Sequence, residues 1–295
     1  MRRLRLPDPQ SERPRVRLRI NLVGVEGVTV PLLSTGGDGE VLQDVKISAF
    51  LSLPPDRRGI HASRVYEAIL QLTNDRRSWG LDQMATELSV AVLERDLGCE
   101  RSDVVITARL FEPTTSPVTG RAVYLTSRVR VTATSVRDGV VRPVRKVVSV
   151  RVAGVTACPC AKSVIQALTG EEGRDYTATH MQRTIAELSV SLRPEESVPL
   201  SSLTRMLRDS MSSPAYPGLK RLDEAEVVMR AVTKPVFIED AVREVVSSIV
   251  REFGHLHPDD RVTVRMRSVE SLHDYDMLAV YRGRLHEARA LLGNG

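Results

Sequence analysis

Residues 45–72, VKISAFLSLPPDRRGIHASRVYEAILQL, contain the change of hydrophobic period that decides the fold. From Val45 to Leu53 apolar residues stand at every second position, which is the pattern of a strand with one buried face. The strand pattern ends at Pro54, and residues 65–72 then place apolar side chains at helical spacing. The stretch therefore predicts a strand that is followed by an amphipathic helix.

The same order of periods extends on both sides of this stretch and returns in the second half of the chain. In the first half we predict strands over 16–22, 45–53, 103–111 and 121–134, with helices over about 65–72 and 81–92. In the second half we predict strands over 143–157, 184–192, 261–269 and 277–282, with helices over about 200–210 and 236–253. Each half reads strand, strand, helix, helix, strand, strand, without a visible repeat of individual residues. Antiparallel sheets with helices on one face make an α+β protein.

Length and charge suggest how the chain is divided. Its 295 residues suffice for two domains or one doubled domain. A turn at Asp138-Gly139 separates the halves, so we predict a disordered basic tail over 1–14 and two halves over 15–138 and 139–295. The net charge is +5, and residues 1–20 supply it with seven arginines and two acids. The remaining chain is neutral and does not predict a nucleic-acid-binding surface, although an RNA-binding tail stays open.

Other features argue against membrane and secreted classes of protein. The sequence has no run of about eighteen apolar residues, so we expect no transmembrane helix. The N-terminus has prolines and acids where a secretory signal would be apolar. Three cysteines do not make a disulfide framework. The sequence therefore predicts a cytoplasmic protein.

The pair Cys158-Pro159-Cys160 is the first candidate for chemistry. Half of a zinc ribbon would need a second pair, and Cys99 stands alone. A local disulfide is disfavoured in a reducing compartment, and two small buried residues at a strand end are an equal alternative. Because the proline fixes the backbone, we expect the two sulfurs to point in different directions and only one to act.

Four further segments carry polar groups next to predicted elements. They are THMQR at 179–183, YPGLKRLDE at 216–224, FIED at 237–240 and ESLHDYD at 270–276. Each has a structural alternative, such as a core histidine or acids that complement a helix N-terminus. Taken together, cysteine, histidine and glutamate side chains are a plausible mixed ligand set for Zn(II), Fe(II) or Mn(II).

These segments, with CPCAK at 158–162 and LPPDRRGIHASR at 53–64, occur in the order seen in the type IB GTP cyclohydrolases. The chain resembles that family over about 45–283. The resemblance implies the tunnelling fold, which is a doubled ββααββ unit that assembles into barrels. It also implies a homotetramer that has its active sites at subunit interfaces.

Site residues follow from the resemblance position by position. The family's metal ligands fall on Cys158, His180 and Glu224, and the first histidine of its ESxHxH motif falls on His273. The carboxylate that anchors guanine falls on Glu239. The second histidine of ESxHxH is Tyr275 here, so the second imidazole ligand is expected from His273 or from elsewhere, such as His61.

The resemblance implies a GTP cyclohydrolase that opens the imidazole ring of guanine at C8 and releases that carbon as formate. One divalent metal per subunit would activate the water, with Fe(II) expected and Mn(II) or Zn(II) as alternatives. Lys162, Arg183 and Lys220 are candidates to hold the triphosphate, against the alternative of exposed surface charges. The long spacing from Cys158 to His180 resembles the archaeal branch. That branch makes 7,8-dihydroneopterin 2′,3′-cyclic phosphate for methanopterin- or folate-like cofactors, whereas bacterial members make the triphosphate.

The sequence leaves two other functions open, and it leaves two alternatives for His61. A nitrile oxidoreductase of the same fold would use a cysteine nucleophile with NADPH and no metal, which leaves the predicted ligands unexplained. A non-catalytic purine- or pterin-binding module would use Glu239 and need no metal. His61 either contributes to the site of a neighbouring subunit or packs against the helix that begins near Ala62.

Overall fold

A computed structural model describes residues 7–30, 41–74 and 80–293. The strands are β1 Ile20–Thr29, β2 Val41–Leu53, β3 Arg101–Thr115, β4 Ala122–Asp138, β5 Val140–Ala157, β6 Met181–Leu192, β7 Ser213–Pro214, β8 Arg261–Val269 and β9 Met277–Arg284. The helices are α1 Ala62–Asn74, α2 Leu81–Arg95, α3 Pro159–Thr169, α4 Leu200–Asp209, α5 Arg221–Thr233, α6 Ile238–Glu252 and α7 Leu285–Leu292. A short 3₁₀-helix covers Pro9–Ser11.

The strands form one sheet in the order β1-β2-β3-β4-β5-β6-β8-β9, and the short β7 pairs with β5. The pairs β1–β2, β6–β8 and β8–β9 are antiparallel. The α+β class predicted from the alternation of periods is therefore confirmed.

The first of two compact units comprises described residues of 7–30, 43–74, 80–108 and 130–147. Its core is formed by the inner face of β2 together with α1 and α2, and includes Ile47, Leu51, Ile69, Leu88 and Val92. The prediction that the alternating residues 16–22 form a half-buried strand is wrong. The strand begins only at Ile20, and Leu18 and Leu22 are 66% and 55% exposed. The physical reason is that β1 is the edge strand of the sheet, so that within the described residues it has a neighbouring strand, β2, on one side only.

The second unit comprises described residues of 41–42, 109–129 and 148–293. Helices α4 and α6 contact β6, β8 and β9, and they cover the face that carries the even-numbered residues of β6 and β8. Three helices, α3, α5 and α7, are absent from the sequence-based expectation, and α3 separates β5 from β6. None of the residues of α3 is buried.

Part of the basic tail that was predicted to be disordered has contacts in the structure. Residues 1–6 of the tail lie outside the described residues, while residues 7–14 differ from the expected disorder. Glu12 pairs with Arg58 at 2.9 Å, and Gln10 accepts a backbone hydrogen bond from Gly59 at 3.1 Å. The compact units interleave along the sequence, and the two consecutive halves stay a prediction. In the described ranges, every helix is too short or too polar to cross a lipid bilayer.

Candidate active site

A cavity of about 220 Å³ lies in the second unit, where the strand ends of the sheet meet two helix N-termini. The start of α3, the start of β6, the N-terminus of α6 and the chain between β8 and β9 surround it. Its chemically active lining residues are Cys158, His180, Glu239, Glu270 and His273. Four of these were candidates from the sequence, and they come from four segments that lie far apart along the chain.

Cys158 is placed by the start of α3. It is the N-cap residue, Pro159 takes the first helical position, and the Ala161 amide donates to the Cys158 sulfur at 3.4 Å. The Cys158 amide donates to the His180 carbonyl oxygen at 3.0 Å, which joins the start of α3 to the start of β6. Cys160 is exposed and does not line the cavity. The two sulfurs diverge, as the intervening proline predicts.

His180 is oriented by a neighbour from the other side of the cavity. Its Nδ1 lies 3.3 Å from the hydroxyl oxygen of Ser271. A metal-binding histidine usually has such a partner on one ring nitrogen, which fixes the ring and leaves the other nitrogen for the metal. The arrangement therefore presents Nε2 of His180 as the free ligand atom.

His273 stacks on the residue that replaces the family's second histidine. The rings of His273 and Tyr275 are 4.9 Å apart at an interplanar angle of 6°, and both line the cavity. Tyr275 therefore supplies an aromatic face that holds the imidazole plane, in place of a second imidazole.

The cavity is acidic. Glu239, in the first turn of α6, and Glu270, directly after β8, line it, and its described lining includes no lysine or arginine. Neither carboxylate forms an ion pair within the part of the chain that the structure describes. The cavity thus suits a cation and a neutral ring that presents N–H donors, and it disfavours phosphate.

Glu224 lies outside the lining. It is exposed in the first turn of α5, although the resemblance makes it a metal ligand. In the described residues, no three histidine, cysteine, aspartate or glutamate side chains are grouped so as to hold one ion. The donor types still fit a divalent transition metal, because thiolate, imidazole and carboxylate groups share one cavity.

Asp223, the neighbour of Glu224, anchors the start of α5. Its carboxylate accepts hydrogen bonds from the amide of Val118 at 2.9 Å, the amide and hydroxyl of Thr119 at 2.8 and 2.7 Å, and the amide of Lys220 at 3.0 Å. Burial raises its pKa, but these donors outweigh burial and hold the pKa of Asp223 well below its usual range.

We expect Asp223→Asn to destabilise the protein, because an amide nitrogen would face N–H donors. The depressed pKa means that wild-type stability from this group is present above pH 3.8 and is lost as the pH falls through the lower, native pKa. Urea unfolding should show the largest difference in the free energy of unfolding between wild type and variant near neutral pH, and a smaller difference in acid. The exposed Asp209→Asn is the control. An equal gap at both pH values would contradict the argument.

The three cations proposed for the triphosphate do not line the cavity. Arg183 and Lys220 are exposed, and their role toward the triphosphate stays a prediction. The Lys162 ammonium donates to the carbonyl oxygens of Asp175 at 2.8 Å and Val232 at 2.9 Å. Lys162 therefore ties α3 to the last turn of α5.

We expect Lys162→Met to lower the free energy of unfolding by about 1–3 kcal/mol, because it removes two hydrogen bonds of a charged donor, one exposed and one partly buried. The KM for GTP should stay near that of wild type. Chemical unfolding and steady-state kinetics, with the exposed Lys46→Met as control, check this. A raised KM with unchanged stability would instead favour the triphosphate role predicted from the sequence.

His61 lies in the first unit, directly before α1. Its Nε2 is 3.6 Å from a carboxylate oxygen of Asp8, and its carbonyl oxygen accepts from the Arg64 amide at 3.0 Å. These contacts agree with the packing alternative. A contribution to a neighbouring subunit stays a prediction.

Two polar residues of the strands line the cavity and were not predicted as site residues. Gln182 and Ser268 occupy even-numbered positions of β6 and β8, where alternation expects apolar core residues. A polar residue at a strand position where the alternation predicts a buried apolar residue is the sequence feature that could have identified them. Both have buried oxygen atoms without a hydrogen-bond partner.

Comparisons with known proteins show the family of the chain. The model of the family described as type I GTP cyclohydrolase folE2 matches residues 6–279. The chain is 31% identical to a GTP cyclohydrolase MptA of Methanospirillum hungatei, covering 96% of this chain and 92% of that protein. It is 30% identical to a GTP cyclohydrolase MptA of Methanothermobacter thermautotrophicus, covering 96% and 95%.

Solved structures show the same fold at low sequence identity. The uricase from Arthrobacter globiformis is 7% identical, with a TM-score of 0.52 over 90% of this chain and 93% of that chain. A uricase from Bacillus fastidious is 8% identical, with a TM-score of 0.50 over 83% of each chain. The predicted tunnelling fold is thereby confirmed.

Proposed function

The chain belongs to the type I GTP cyclohydrolase family, and on that premise we propose that it adds water to C8 of GTP, opens the imidazole ring and releases formate. One observation carries the proposal. Cys158, His180, His273 and Glu239, which the resemblance assigns to metal and guanine, line one cavity.

Cys158, His180 and His273 would hold the metal, with Glu224 or Glu270 as the carboxylate ligand. A divalent transition metal there supplies the Lewis acidity that makes water a nucleophile at neutral pH. The Ser271 contact would orient the ring of His180, and the Tyr275 stack would orient the ring of His273, while the ligand side chains would still have to move together to bind one ion.

Glu239 would bind guanine. Its two carboxylate oxygens accept the N1–H and one 2-amino hydrogen in a charge-assisted pair. Val236, Ile238 and Met277 supply apolar lining, which removes water from these hydrogen bonds and strengthens them. Where Glu224 is the carboxylate ligand, Glu270, the second carboxylate of the cavity, would accept a proton from the attacking water.

The archaeal names of the relatives favour the Fe(II)-dependent branch and the 2′,3′-cyclic phosphate product. The test is an anaerobic assay of Fe(II)-loaded protein with GTP, in which mass spectrometry identifies the pterin. A cyclic phosphate would support this branch, and a triphosphate the bacterial type. GTP left intact by metal-loaded protein would contradict the function, and NADPH-dependent nitrile reduction or metal-free nucleotide binding would support the two rivals.

The triphosphate must extend beyond the acidic cavity, so we propose that an oligomer, expected to be a tetramer, completes the site. We expect Cys158→Ser and His61→Ala to be inactive alone and to regain some activity when mixed and reassembled. Steady-state assays check this, with mass spectrometry to establish mixed oligomers. Activity at background in confirmed mixed oligomers would place each site within one chain.

A further inference from the structure

Two buried polar atoms without hydrogen-bond partners line the proposed active-site cavity. They are the side-chain oxygen Oε1 of Gln182 and the hydroxyl oxygen of Ser268, and the Ser268 residue is 2% exposed. One further atom of this kind exists within the described ranges, the hydroxyl of Ser52 in the first unit. An unpaired buried polar group costs stability, so two in one cavity indicate a site that a ligand completes.

The sheet register brings these two atoms to the same place. Thr184 of β6 pairs with Ser268 of β8, so Gln182 is the diagonal neighbour of Ser268 on the same face. Diagonal neighbours of this kind are roughly 7–8 Å apart, which lets both side chains reach one bicyclic ring. The hydroxyl of Thr184 lies 2.7 Å from that of Thr156, its neighbour on the other side.

The chemistry of the two groups fits one edge of guanine. Both are neutral, which suits a base rather than a phosphate. Glu239 would accept the N1–H and one hydrogen of the 2-amino group, which leaves the second amino hydrogen and the adjacent ring nitrogen N3 without partners. Gln182 offers an acceptor for the hydrogen, and Ser268 offers a hydroxyl donor for N3.

We propose that Gln182 and Ser268 read the sugar edge of guanine, with the Gln182 side-chain oxygen on the 2-amino group and the Ser268 hydroxyl on N3. This inference rests on the proposed function and adds a specificity role to two residues. It explains how the site selects guanine over hypoxanthine: a base without the 2-amino group leaves the Gln182 oxygen unpaired in a desolvated site.

The test compares GTP with inosine triphosphate, which lacks only the 2-amino group. We expect Gln182→Met to lower kcat/KM for GTP about tenfold and to change that for inosine triphosphate by less than about threefold. Because both nucleotides retain N3, Ser268→Ala should lower kcat/KM about equally for both. Gln83→Met and Ser189→Ala, which lie outside the cavity, are matched controls and should change neither value.

Two readouts separate this role from a structural one. The Kd of each nucleotide for metal-free protein, measured by calorimetry, should follow the same pattern. The thermal midpoint of both variants should be unchanged or higher, because each removes an unpaired buried atom. The proposal would be overturned if Gln182→Met lowered kcat/KM equally for both nucleotides, or if Ser268→Ala left the Kd of both nucleotides unchanged. Wild-type protein that releases no formate from GTP would refute the function itself.

Discussion

Cys158→Ser is expected to abolish formate release from GTP and to lower the amount of bound metal, whereas Cys160→Ser keeps most of both. Cys158 lines the cavity beside His180, and Cys160 is exposed outside it. A serine hydroxyl remains protonated at neutral pH and is a far weaker ligand for a transition metal than a thiolate. Metal analysis and turnover, both after anaerobic purification, measure the two effects.

Cys160→Ser is the matched control, since it makes the same chemical change two residues along the chain. Equal metal loss in both variants would contradict the assignment of Cys158. Purification in air should also reduce the activity of wild type, because a thiolate in an accessible site is open to oxidation.

Glu239→Gln is expected to weaken transition-state binding by about 2–4 kcal/mol, because one acceptor oxygen becomes a donor that faces the guanine donors. Metal content should stay at the wild-type level, since Glu239 reads the base. Steady-state kinetics and metal analysis together measure this. Asp240→Asn is the control, because Asp240 is the next residue of α6, pairs with Arg243 and does not line the cavity. Metal loss in Glu239→Gln would mean that Glu239 and Glu224 exchange roles.

The elements predicted best from the sequence are strands in which every second residue is apolar and buried. Strand β8 was expected over 261–269 and is observed over Arg261–Val269, because Val262, Val264 and Met266 are all buried at every second position. Helix α3 was missed although Ala161, Val164, Ile165 and Leu168 stand at helical spacing, because it is short and begins at Pro159 within the cysteine pair, which was interpreted as a candidate site and not as a helix start.

The candidate site was predicted in part. Cys158, His180 and His273 line one cavity, because Cys158 directly precedes α3, His180 directly precedes β6 and His273 lies in the segment between β8 and β9. Glu224 lies outside the lining, and the Lys162 ammonium donates hydrogen bonds to two carbonyl oxygens. Neither contact pattern can be predicted from the local sequence. Both depend on where α5 packs, which tertiary contacts decide.

The most direct test follows the C8 carbon of GTP. Fe(II)-loaded protein, kept anaerobic, is given GTP that carries a radioactive carbon at C8, and formate is separated from the nucleotides. The account predicts labelled formate in equal amount to the GTP consumed, with none from Cys158→Ser. Consumption of GTP with all of the label retained in a nucleotide would contradict it, since C8 would then not leave as formate.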